Sequence, residues 1–143
     1  MNILGFQSSG DQTSVSIMIG EEINSFNYSH NRKDRPNWDM FLENIGIKNQ
    51  IQLQDIDIFA FADCQGSYTA TRTIASYLKG MAIALEKPLI AIDDNNKIPI
   101  NSSDVVKLAK KKFLNANSKA EQFHPNLVNP SYSLDTKYKK IND

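Results

Sequence analysis

The chain reads as an α/β protein whose mixed sheet follows the order β-β-β-α-β-α-β and is closed by a C-terminal helix and tail. Three observations predict this. Residues 3–28 alternate short apolar runs with polar residues, as meandering strands do. Residues 55–93, DIDIFAFADCQGSYTATRTIASYLKGMAIALEKPLIAID, run strand, turn, helix, strand, the order that a parallel crossover requires. Between the two lies a short amphipathic segment with apolar residues at spacings of three and four.

The elements follow in order. Ile3, Leu4 and Phe6 form a brief apolar run. Val15, Ile17 and Ile19 alternate with Ser14, Ser16 and Met18, the pattern of a half-buried strand. Gly20-Glu21-Glu22 supplies a hairpin turn into a third strand carrying Ile23, Phe26 and Tyr28. Pro36 suits the first turn of a helix, where its missing N–H costs nothing, and Gly46 suits the end. Trp38, Phe41, Leu42 and Ile45 mark that helix, about 36 to 46. Ile56 to Ala62 is the next strand, and a helix from about Ala70 to Leu85 follows. Thr71, Ile74, Ala75, Leu78, Ala82 and Leu85 share one stripe that should pack on the sheet. Tyr77, Met81 and Ala84, with Thr73 and Gly80, lie off it, so they face either the preceding helix or a partner. A strand begins after Pro88. Three meandering strands followed by crossovers is the layout of actin-like and ribonuclease-H-like folds.

The remaining third divides in two. Residues 102–114 place Val105, Val106, Ala109 and Phe113 at helical spacing behind a candidate cap, Ser102 or Ser103. Lys107, Lys110, Lys111 and Lys112 occupy much of the rest, and a solvated lysine face is favoured over a basic patch for RNA. From Asn115 onward composition alone reads as a disordered tail. The expected division is 1–93 as the main domain. Residues 94–143 form a connection, helix and tail that pack back on it.

At 143 residues with zero formal net charge, the chain is one domain with room for a core and gives no global electrostatic argument for nucleic acid. One cysteine, Cys64, excludes an internal disulfide and suits a reducing compartment. The start, MNILGFQSSGDQ, lacks the basic region of a signal peptide, and no apolar stretch approaches the length that spans a bilayer. A cytoplasmic location is expected.

The turn Gly66-Ser67-Tyr68-Thr69-Ala70-Thr71-Arg72 carries the most specific signal. It resembles the GPGSFTGLR signature of the TsaB (YeaZ) family, a bacterial subunit of the machinery that makes threonylcarbamoyladenosine in tRNA. Ile3 to Gly10 is similar to the family's opening ILAIDTST-type strand and loop, and Thr13 to Ile17 to its CSVAL strand. Leu53 to Ala60 and Gly80 to Ile92 are similar to its next strand and its GLALGLxxPLIGV segment. Asn129 to Asp135 with Lys139-Lys140 resembles its closing tail. Family members are considerably longer, and most of their second domain is absent here between about Asp94 and Ser102.

The resemblance implies a single actin-like (ASKHA, ribonuclease-H-like) domain with a degenerate signature loop at Gly66, Ser67, Tyr68, Thr69 and Arg72. It implies a non-enzymatic scaffold, a pseudo-enzyme without cofactor or metal, that pairs with the catalytic subunit TsaD. A TsaE-like ATPase is a second implied partner, pairing with a second copy of the chain is the alternative to TsaD in isolation, and tRNA is met only indirectly. Pairing in the family runs through the two N-terminal-domain helices. Here that points to Trp38, Phe41, Tyr77 and Met81 as anchors, with Thr73 and Ala84 beside them. The departures bear on catalysis. Gln7 stands where the actin-like fold holds an aspartate, and an amide is a poor partner for a hard cation. Cys64-Gln65 replaces a glycine-proline pair, so close approach of phosphate to that backbone is disfavoured. His30 and His124 lack metal-ligand spacing, and Asp55, Asp57 and Asp63 fall on one short segment. A residual ATPase or nuclease is the lesser alternative, as is a degenerate actin-like homodimer with another partner.

Overall fold

A computed structural model of the protein describes residues 1–64, 68–94, 101–117 and 120–128. Strands β1 (Asn2–Ser8), β2 (Gln12–Ile19) and β3 (Glu22–Ser29) form an antiparallel meander. Helix α1 (Trp38–Asn44) precedes β4 (Ile58–Cys64), and α2 (Tyr68–Leu85) crosses over to β5 (Leu89–Asp94). β4 pairs in parallel with both β1 and β5, so the sheet order is β3-β2-β1-β4-β5. Helix α3 (Ser102–Asn115) follows, and short 3-10 turns at Ala120–Phe123 and Pro125–Leu127 close the described chain. This is the α/β layout expected.

Both faces of the sheet are covered, which the alternation in β2 does not announce. On one face Leu4, Phe6, Val15, Ile17, Phe59 and Phe61 pack against α1 and α2. On the other Ile3, Met18, Ile58, Ala60 and Ile90 pack against Val105, Val106, Ala109 and Phe113 of α3. Ser14, Ser16 and Met18 are therefore buried rather than solvent-facing, while Ile19 is exposed at the strand's end. The serines are accommodated because α3 brings its own polar group: Ser102 Oγ lies 2.7 Å from Ser16 Oγ, and Ser102 N donates to Ser14 Oγ at 3.2 Å. Gly5 lets the helix in, since a Cβ there would lie 2.8 Å from Val106 Cγ1. Ser16 and Ala60, its neighbours across the sheet, continue a shallow trough for α3.

Several boundaries differ from expectation for local reasons. The cap of α3 is Asn101, not Ser102 or Ser103; its side chain accepts from Asp104 N, and Asp104 answers from Asn101 N. Asn37 caps α1, so the helix starts at Trp38 rather than Pro36. β4 starts at Ile58 because a 3-10 turn at Leu53–Asp55 occupies the preceding residues. The segment 120–128, disordered by composition, docks instead: Pro125 is buried, Phe123 packs 5.9 Å from Phe113, and Val128 O accepts from Lys79 Nζ. The tail match at 129–143 lies outside the described residues.

Candidate partner-binding face

α2 is an 18-residue helix whose buried stripe is Thr71, Ile74, Ala75, Leu78 and Ala82, with Leu85 half-buried. At 3.6 residues per turn the opposite side carries Thr73, Ser76, Gly80 and Ala84. Ser76, Gly80 and Ala84 are exposed and Thr73 half-exposed. Ile83 borders this crest and is 45% exposed. The only charges on the helix, Arg72 and Lys79, fall seven residues apart on one flank, the flank where Lys79 meets Val128. The outward face of a solvent-facing helix ordinarily carries charge; this one carries small, neutral residues. A Cβ on Gly80 would meet nothing within 4 Å, and Thr73 turns its hydroxyl inward, donating to Thr69 O at 2.9 Å.

The other flank is aromatic. Tyr77 stacks on Trp38 with ring centroids 4.2 Å apart and an interplanar angle of 4°. Phe6 from β1 meets both rings edge-on, at 5.6 Å from Trp38 and 6.2 Å from Tyr77. This locks α1 against α2 and leaves the outer edges of Trp38, Tyr77 and Met81 half-exposed beside the crest. Burial, helped by the nearby Asp39 carboxylate, pushes the Tyr77 hydroxyl up to about 12. Phe41 is a correction to the expected anchor set. It is 2% exposed, packed among Phe6, Phe26 and Tyr28, and has no surface to offer a partner. What sequence spacing missed was the role of Phe6, Ser76 and Ile83: the ring that props the stack, one member of the crest, and the apolar residue that borders it.

Of the signature loop, Gly66 and Ser67 lie outside the described residues, as does the Tyr68 side chain; Thr69 and Arg72 are exposed at the start of α2. The carboxylates do not converge. Asp57 Oδ2 accepts from Asn2 N and Asp55 Oδ2 from Gln52 N, both before β4, while Asp63 is buried near the strand's far end. Six residues of strand separate Asp57 from Asp63, about 20 Å. Gln7 is half-buried, its Oε1 taking the Ser14 hydroxyl at 3.3 Å. His30 lies 2.8 Å from Thr13 Oγ1 through Nε2 and donates from Nδ1 to Asn31 O. His124 instead accepts from Asn126 N. Among the described residues no three His, Cys, Asp or Glu side chains gather as metal ligands would. None of their helices is long and apolar enough to cross a membrane.

No protein-family model and no curated protein matches the sequence. Solved structures match its fold. YeaZ from Pseudomonas aeruginosa superposes with a TM-score of 0.59 at 22% identity, over 65% of this chain and 44% of its own. A structure described as an uncharacterized protein with similarity to peptidase YEAZ from the same organism gives 0.59 and 22%, over 65% and 43%. The chain thus spans less than half the length of these structures. The likeness shows the fold: over the matched part the chain folds as YeaZ does.

Proposed function

We propose that the chain is a divergent TsaB-like protein acting as a non-catalytic partner subunit. It pairs with a TsaD-like protein in threonylcarbamoyladenosine modification of tRNA. The observation that carries this reading is the charge-free crest of α2, flanked by the Trp38–Tyr77 stack and Met81. Small residues at 73, 76, 80 and 84 let a partner helix approach closely, and large apolar edges at 38, 77 and 81 supply the anchors that such contacts depend on. The similarity of fold to YeaZ and the signature resemblance at 66–72 point the same way. Gln7, tied to Ser14, and the separated aspartates support a scaffold rather than an enzyme. A TsaE-like ATPase is a secondary partner in this reading, and tRNA is reached through the partner.

The test is depletion of the protein in its source cell, followed by mass spectrometry of tRNA nucleosides. Threonylcarbamoyladenosine falls and is restored by the wild-type chain but not by Gly80→Glu or Ala84→Glu. Both positions are exposed, so neither substitution disturbs the core. An unchanged nucleoside level rejects the assignment.

A further inference from the structure

β3 is an edge of the sheet, and beyond Glu22 it carries no charge, proline or bulge of the kind by which edge strands avoid pairing. It runs eight residues in unbroken register with β2, from Gln12↔Ser29 to Ile19↔Glu22, without a bulge. Ile23 to Ser29 contains no charge and no proline. The opposite edge is guarded: β5 is six residues long, ends in Asp93 and Asp94, and has its Ala91 carbonyl taken by Lys112 Nζ at 3.2 Å. The hydrogen bond from His30 N to Asp11 O continues the β2–β3 ladder and fixes its phase. Even-numbered residues of β3 bond to β2, so the N–H and C=O groups of Ile23, Ser25, Asn27 and Ser29 point away from the sheet.

We infer that β3 pairs antiparallel with β3 of a second copy of this chain, across a two-fold axis, joining two five-stranded sheets into one. The strand's chemistry selects a copy of itself. A two-fold contact sets residues equally distant from the axis against one another, so a strand with like charges along it repels its copy, and the neutral run Ile23 to Ser29 does not. Asn24, Asn27 and Ser29 each carry both donor and acceptor, so each can take either role against a polar residue of the other strand, while Ser25 Oγ already lies 2.6 Å from Ser16 Oγ. Phe26 and Tyr28, stacked at 6.3 Å, form an aromatic ridge along one face of β3, and Tyr28 is 42% exposed. The contact is independent of the α2 crest, which lies over the middle of the sheet and stays free in the dimer.

The experiment is sedimentation velocity of the full chain across micromolar concentrations, with amide hydrogen exchange on the same samples. Wild type sediments as a dimer, and the amides of Ile23, Ser25, Asn27 and Ser29 exchange slowly with the dimer's concentration dependence. Asn27→Pro removes an outward N–H without touching the β2 ladder, and Asn27→Lys adds a like charge to each strand of the pair. Each raises the dimer dissociation constant about tenfold or more, since symmetry doubles the loss. Unchanged melting curves would confirm that the variants fold, and Gly80→Glu leaves the dimer intact. A monomeric wild type, a dimer indifferent to both Asn27 substitutions, or one dissolved by Gly80→Glu overturns the inference.

Discussion

Tyr77 joins stability to the candidate interface at a single residue. Its hydroxyl is held neutral by burial beside Trp38 and by Asp39, with its pKa near 12 against an ordinary 10. An acid whose pKa is raised on folding stabilises the protein below its unfolded value, and that contribution is lost as pH rises through the folded one. Melting temperature should therefore decline between about pH 10 and 12 more steeply in wild type than in Tyr77→Phe; parallel curves would show the ring to be solvated. Gly5 is the second decisive residue. Gly5→Val drives methyl groups into Val105 and Val106, forcing α3 off the sheet, and should cost about 2 kcal/mol in denaturant unfolding. A variant as stable as wild type would mean that α3 does not seat in that trough.

At the scale of the element, α2 ends against its own preference. Glu86 sits at φ 58°, a left-handed conformation that glycine takes freely, while Lys87 N closes the helix onto Ala82 O. Glu86→Gly should raise stability by about 1 kcal/mol, read as an increased denaturant midpoint; a decrease would argue for a specific role of the carboxylate. Gly80 gives the opposite pairing of stability and function. Within the isolated chain Gly80→Ala fills open space and should gain about 0.5–1 kcal/mol of helix stability, read as a higher melting temperature. A larger residue there obstructs the crest. These elements were largely legible in the sequence: the 3.6-residue stripe of α2 and the crossover order needed no more than periodicity. What was not legible depends on distant partners. Buried serines in β2 look solvent-facing until Ser102 arrives from 86 residues away. Phe41 and Tyr77 look alike as apolar helix residues until the β3 aromatics cover the first and leave the second half-open. The docking of Pro125 and Val128 onto α2 likewise had no local signature.

Over the whole molecule, a five-stranded sheet sheathed on both faces leaves three distinctive surfaces among the described residues. They are the neutral crest of α2, the open edge of β3 and the lysine-bearing face of α3. One of those lysines has a local explanation. Lys112 lies in the last turn of α3, where the helix dipole favours a cation, and its Nζ reaches Ala91 O. The isolated chain should accordingly show no tRNA affinity that falls steeply with salt; such a slope would move the RNA contact onto Lys107–Lys112. The proposed pairing rests on the crest, and co-expression with the TsaD-like protein of the same source, followed by size-exclusion chromatography, tests it at that surface. Pairing through the crest gives one stable co-eluting complex with wild type and separate elution with Gly80→Glu. Separate elution with wild type, or a complex that survives Gly80→Glu and Ala84→Glu together, would contradict it.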